Sequence, residues 1–238
     1  VFAALLDTCT LWPSLRRDVL LSFAAEGLYR PLWSTTVLEE LQDAETQKLI
    51  RRGASPVDAD LRAVGLIASI RRAFDDGEVP EVSYEALEGT FGLPDSHDEH
   101  VVAAAAIGGA GVIVTENLKD FPPALFPFGM AVSHPNEFLF DSVQIDALGA
   151  ARAIGRIAAR SGRVGPQMTF DDVRDALQRR YGADDCVRML QIGPRPQQPH
   201  DRELSFDVGT SLKFPRNYGT HPVPKAGGAR VSLSETTK

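Results

Sequence analysis

Short apolar runs alternate along this chain with longer stretches in which apolar side chains recur every three or four residues. Phe2 to Leu6 is apolar without interruption and ends on Asp7, the pattern of a strand buried on both faces. Helical periodicity follows around residues 14–26, 35–51 and 56–74. Ser34 and Ser55-Pro56 are suitable starts, since a proline in the first turn lacks only an amide that has no helical partner there. Pro80 to Tyr84 reads as a strand, and a helix is predicted from Asp95 to about Gly108. Gly108-Gly109-Ala110-Gly111 then reads as a helix end and tight turn. Gly111 to Thr115 (GVIVT) and Gly129 to Ser133 are further strand candidates. Strands alternating with helices predict a parallel sheet covered on both faces, because parallel neighbours need long crossovers. The expected fold is a three-layer α/β/α sandwich.

Residues 135–191 carry no strand pattern. Pro135 to Phe140, Val143 to Ala159 and Thr169 to Tyr181 read as helices, the last opened by a capping-box variant in Thr169-Phe170-Asp171-Asp172. From Ile192 the character changes: the final 47 residues hold six prolines and five glycines with few large apolar side chains. Such a composition buries too little surface to order by itself. The expected organisation is an α/β domain over 1–134, a helical extension over 135–191, and a flexible tail over 192–238.

Composition narrows the function classes. Hydrophobic residues make up 43% and charged residues 24%, enough for a sizeable core. Twenty-five basic against 32 acidic side chains give −7, which excludes a basic nucleic-acid coat over the whole chain. Residues 1–138 hold 21 acidic and 10 basic side chains, whereas 139–238 hold 11 and 15, so the front is acidic and the back mildly basic. Two cysteines cannot build a disulfide framework and suit a reducing compartment. The longest nearly apolar run, Val101 to Val114, is shorter than the roughly 20 residues of a membrane-spanning helix. The opening stretch lacks the basic region of a secretory signal. The expected location is cytoplasmic, with no membrane partner.

The acidic front places carboxylates where a parallel sheet would gather them. Asp7 closes the first strand, Glu40 lies in the helix begun at Ser34, Asp95 and Asp98 open another helix, and Asn117 and Asp120 follow GVIVT. Open parallel sheets bind ligands beyond the carboxyl ends of their strands. Carboxylates brought together there repel one another unless a cation is present. An all-oxygen cluster suits Mg²⁺ or Mn²⁺, ions that serve phosphodiester hydrolysis. Each residue also has an ordinary role: Asp98 as a helix cap, Glu40 on a solvated helix face, Asp120 in the turn before Phe121-Pro122-Pro123. Asp7 is the hardest to assign so, because a carboxylate ending an apolar strand is costly if buried without partners.

Taken in order, LLDTCTLW, WSTTVLEEL and LPDSHDEHVVAAAAIGGAGVIVTENLKDFP resemble the motif set of PIN-domain ribonucleases, including VapC-type toxins of toxin–antitoxin pairs. The corresponding residues are Asp7; Glu40 before Leu41; Asp98 before an alanine-rich helix; and Thr115, Asn117, Asp120 and Phe121 in a T-x-N-x-x-D-F pattern. The resemblance covers about residues 2–133, and HPNEFL with TFDDVRDAL resembles a C-terminal extension found in one PIN subgroup. It implies a Mg²⁺-dependent endoribonuclease with Asp7, Glu40, Asp98 and Asp120 as the catalytic set, and Asp7 and Asp98 holding the metal. Asn117, Thr115 and Asp95 would support them, with Asn117 an alternative to Asp120. It also implies an RNA substrate, an antitoxin partner and a homodimer. A catalytically idle PIN-like module that binds protein or RNA is the alternative.

Other signals carry less. His97 and His100 are three residues apart, but HExxH spacing is absent and no Cys or His cluster completes a zinc site. Arg16-Arg17, Arg51-Arg52 and Arg71-Arg72 suit either phosphate contacts or solvated helix ends. Trp12 and Trp33 suit either stacking or the core.

Overall fold

A computed structural model describes residues 2–126, 129–162 and 166–192. The strands are β1 (Ala3–Leu6), β2 (Arg30–Ser34), β3 (Glu78–Val79), β4 (Val112–Val114) and β5 (Ala131–Ser133). They form one parallel sheet in the order β3-β2-β1-β4-β5. β1 is central and fully buried, with Leu5 opposite Leu32 on one side and Ile113 on the other. The expected parallel α/β sandwich is present.

Between the strands run α1 (Thr8–Leu11), α2 (Ser14–Ala25), α3 (Thr35–Arg51), α4 (Pro56–Ala73), α5 (Glu81–Tyr84) and α6 (Glu99–Gly108). The chain moves outward from β1 through α2 to β2, then through α3 and α4 to β3. It returns through α6 to β4 on the far side of β1. Because such crossovers are right-handed, the reversal puts α6 on the opposite face from α2–α4. It also creates a topological switch point between β1 and β4, where Asp7 and Thr115 leave the sheet.

Local chemistry sets the helix ends. Ser34 Oγ accepts the Val37 amide (3.0 Å) and Ser55 Oγ the Asp58 amide (3.1 Å), satisfying first-turn donors. α6 stops at Gly109, whose φ of +69° is costly for any residue with a Cβ. At Gly108 the helix passes so close to the sheet that a Cβ would lie 2.8 Å from Leu32 Cδ1.

Several elements differ from expectation. α1 and a C-terminal helix over Asp184–Ile192 are additional, and the expected helix from Val143 to Ala159 is divided at Asp146. Two differences touch the sheet. Pro80 to Tyr84 is not a strand: pairing ends at Val79, and Pro80 precedes the short helix α5, since its fixed φ and missing amide do not continue a ladder. β2 carries Pro31, which masks it as a strand in the sequence. Arg30 donates its amide to Phe2 O and Trp33 to Gly77 O, so residue 31 faces the β3 side. β3 pairs only with Trp33 and Ser34, and at Pro31 no ladder bond is lost.

After β5 come α7 (Pro135–Ile145), α8 (Ala147–Arg160), α9 (Phe170–Tyr181) and α10 (Asp184–Ile192). Thr169 and Asp172 complete the expected capping box on α9. α8 packs along α2, and its small buried face of Gly149, Ala150, Ala153, Ile154 and Ile157 permits close approach. Tyr29 meets Phe138 edge-on with ring centroids 4.8 Å apart, and its hydroxyl donates to Leu20 O (2.8 Å). Positions 193–238 of the proline- and glycine-rich tail lie outside the described residues. Among the described residues no helix is long and apolar enough to cross a membrane.

Candidate active site

Asp7 sits where β1 ends and α1 begins. Its amide donates to Val114 O (3.1 Å), tying it to the end of β4. Its carboxylate accepts the Thr8 amide on Oδ1 (2.6 Å), and the Cys9 thiol (2.9 Å) and Thr115 hydroxyl (2.7 Å) on Oδ2. Only 6% of Asp7 is exposed. Burial pushes its carboxyl up, while the three donors oppose the shift and the Glu116 charge adds to it. The cost of a carboxylate at the end of an apolar strand is thus offset by three hydrogen bonds.

The neighbouring carboxylates converge on the same edge. Glu40, one turn into α3, accepts the Thr8 hydroxyl (2.5 Å). Its carboxyl is raised first by burial and then by the Asp7 charge, against the Thr8 bond. Glu39 is exposed, so Glu40 is the residue of that pair that turns inward. Asp98 immediately precedes α6 and caps no amide with its side chain. Burial, then the charges of Asp7, Asp95, Asp120 and Glu40, push its carboxyl up to about 7. Asp95 accepts the His97 amide (3.0 Å) and fixes the turn before Asp98. Asp120 closes a 3₁₀ turn on the Asn117 carbonyl (2.9 Å). Asn117 is exposed, and its amide donates to Thr115 Oγ1 (3.0 Å). The chosen side chains therefore share one sheet edge.

Several groups around this edge lie outside that expected set. Thr8 bridges Asp7 and Glu40 with its amide and hydroxyl. Burial and the Asp7 charge hold the Cys9 thiol well above its usual pKa, so it stays a protonated donor rather than a nucleophile. The signal for both was local: residues following an Asp at a strand-to-helix junction are placed to cap it. His100 is buried on α6, with Nδ1 2.8 Å from Ser34 Oγ and Nε2 3.8 Å from Glu40 Oε1. Burial lowers its pKa to about 4, so it is neutral near pH 7.

Three arginines of the basic pairs are held in ion pairs. Arg16 and Arg17 are each 3% exposed; Arg16 pairs with Glu116, and Arg17 with Glu45 (3.6 Å). Arg71 forks onto Glu78 (2.6 and 2.9 Å). Trp33 lies in the core against Phe74, and Trp12 donates to Ala44 O (3.4 Å).

The donor set is suited to a hard divalent cation, being carboxylate and hydroxyl oxygen throughout. Among the described residues no three His, Cys, Asp or Glu side chains form a ready-made chelate. Mg²⁺ bound by one or two carboxylates, with water completing its shell, needs no such cage. Asp7 accepts one hydrogen bond on Oδ1 and two on Oδ2, leaving about one acceptor position, on Oδ1, of the roughly four a carboxylate has.

The fold and the site define a parallel α/β domain with a hydrogen-bonded carboxylate cluster at its switch point. Over 81 residues, 34% of this chain, the sequence is 40% identical to a Mycobacterium tuberculosis (strain ATCC 25618 / H37Rv) protein named "Putative ribonuclease VapC50". That segment is 47% of the relative, so the chain spans about half the length of the curated relative it matches. No protein-family model and no solved structure matches the chain.

Proposed function

We propose that this chain is a Mg²⁺- or Mn²⁺-dependent endoribonuclease and the toxin of a type II toxin–antitoxin pair. The observation that carries the reading is the convergence of Asp7, Glu40, Asp98 and Asp120 on one edge: after burial, the charges of Asp7, Asp120 and Glu40 help raise the Asp98 carboxyl, and Asp7 helps raise that of Glu40. The name of the partial relative supports the same class.

In this reading Asp7 and Asp98 hold the ion. When bound, the ion neutralises phosphate charge, acidifies a water and steadies the leaving oxygen. Thr115, Cys9 and the Thr8 amide fix the Asp7 rotamer, so the carboxylate presents the same oxygens throughout the reaction. Glu40, held by Thr8, orients the attacking water. Asp120, or Asn117, contributes through water. Hydrolysis leaves a 5′-phosphate and a 3′-hydroxyl. The same acidic pocket suits an antitoxin arginine, whose guanidinium would pair with the carboxylates in place of the ion. A homodimer is part of the proposal.

The test is cleavage of a mixed RNA pool with Mg²⁺, with EDTA, and by an Asp7→Asn variant. Cleavage is expected only in the first case. Equal cleavage in all three overturns the metal mechanism. Absence of cleavage in every case, with no Mn²⁺-dependent thermal stabilisation, points instead to a catalytically idle binding module.

A further inference from the structure

Arg16 lies on α2, nine residues beyond Asp7 and outside the carboxylate cluster. It is nevertheless buried, and two elements distant in sequence hold its guanidinium. On one side it pairs with Glu116, between Thr115 and Asn117. On the other its Cζ stands 4.4 Å over the ring of Tyr181, the last residue of α9. A guanidinium against an aromatic face, with most water excluded, is held more firmly than one at the surface.

The contacts close into a circuit. The Thr115 amide donates to Ser133 O (3.1 Å) at the end of β5. Three residues later Asn136 Nδ2 donates to Tyr181 O (2.6 Å). The Tyr181 ring backs Arg16, and Arg16 returns to Glu116. Inside this circuit the Glu116 amide donates to Cys9 Sγ (3.2 Å) and the Asn117 amide to Thr115 Oγ1 (3.0 Å). The Thr115 hydroxyl then reaches Asp7.

We propose that Arg16 is a positioning residue: braced on Tyr181, it grips Glu116 and so holds the 115–120 turn against Asp7. The helical segment that follows the sheet thereby sets the geometry of the acidic edge. Only the catalytic consequence rests on the nuclease reading; the mechanical one does not.

Three variants of the full chain test this: Arg16→Met, Glu116→Gln and Tyr181→Ala. In the metal-free protein each is expected to speed hydrogen exchange at the Glu116 and Asn117 amides by about tenfold. Tyr181→Phe keeps the ring face and removes only the hydroxyl that meets the Arg16 backbone, and it is expected to stay within about twofold of wild type. In RNA cleavage the same three variants lower kcat by roughly tenfold while KM stays within about twofold, because the turn and not the RNA surface is disturbed. A purely electrostatic role makes a different demand. Arg16→Met and Glu116→Gln change the local charge in opposite senses, so the two variants would move kcat in opposite directions from each other, one up and one down. That result, or Tyr181→Ala leaving both exchange and kcat unchanged, overturns the proposal. Should Arg16→Met fail to fold, the other two variants decide, since Glu116 and Tyr181 are not fully buried. If the wild-type protein cleaves no RNA, the nuclease reading fails alone and amide exchange still decides this one.

Discussion

Thr115 joins three parts of the acidic edge through its hydroxyl and its amide. It donates to Asp7 Oδ2 and accepts the Asn117 amide, while its own amide is tied to β5. Valine has nearly the same shape but offers neither bond. Thr115→Val is expected to cost about 1–3 kcal/mol of stability, read by urea unfolding, because a buried acceptor and a donor lose their partner. If Asp7 holds the ion, it also lowers cleavage roughly 10–100-fold, as loss of a ligand-orienting group does; Thr115→Ser restores most of both. His100 makes a pH prediction. Its pKa falls from 6.5 unfolded to about 4 folded, through burial first and the His97 charge second. Between those values the unfolded chain binds the proton and the folded one does not. Stability is therefore fully present above pH 6.5 and is lost as pH falls through 4, by at most roughly 3 kcal/mol. Urea midpoints from pH 7 to pH 4 should drop for wild type and drop less for His100→Gln.

At the scale of elements, α6 matters for what it holds at its start. Glu99, in its first turn, is 3% exposed and accepts the Phe91 amide (3.0 Å) and the Leu93 amide (2.9 Å). One carboxylate thus braces the irregular segment that leads into Asp95 and Asp98. Charge-assisted bonds of this kind are worth more than neutral ones. Glu99→Gln, which can accept on one oxygen only, is expected to cost about 1–3 kcal/mol and to speed exchange of at least one of the two amides. Unchanged exchange at both would show that the loop is held by its own packing. A second buried carboxylate, Glu45 on α3, lies between Arg17 and Lys48. Burial lowers the Lys48 ammonium to about 8 despite Glu45, which marks how far that network is removed from water.

Across the whole molecule, one apolar core runs from the sheet into the helices that follow it. Ile154 on α8 is fully buried, and α8 packs on α2, whose other face meets the sheet. Ile154→Ala is expected to cost about 2–5 kcal/mol through lost contact and the cavity left behind. Because the core is continuous, far-UV and tryptophan signals should still report one shared transition. Separate transitions would mean that the C-terminal helices unfold independently of the sheet. Arg160 Nη2 donates to Ser22 Oγ (3.0 Å), and Arg152 and Arg156 both meet Glu26, so the seam is also polar at its edge.

Much of this protein is legible in its residues alone, where the governing physics is local. The run Phe2–Leu6 ending in Asp7, the Ser34 and Ser55 caps, the glycine stop of α6 and the Thr169 capping box depend on a few neighbouring residues. Each can be read from type and spacing. β2 was hidden because Pro31 is tolerated only where the adjacent strand is absent, a fact of the sheet and not of the segment. The 80–84 run looked extended because short apolar patterns cannot distinguish a strand from a helical turn; pairing decided it. Of the acidic edge, the candidate carboxylates could be picked out from the chain. Tertiary structure alone set the Thr115 bond on Asp7, the Thr8 bond to Glu40, the inward turn of Glu40 relative to Glu39, and the burial of Arg16 against Tyr181. Those contacts join residues up to about 165 positions apart, and nothing in the local pattern of a chain specifies which distant partners packing will bring together.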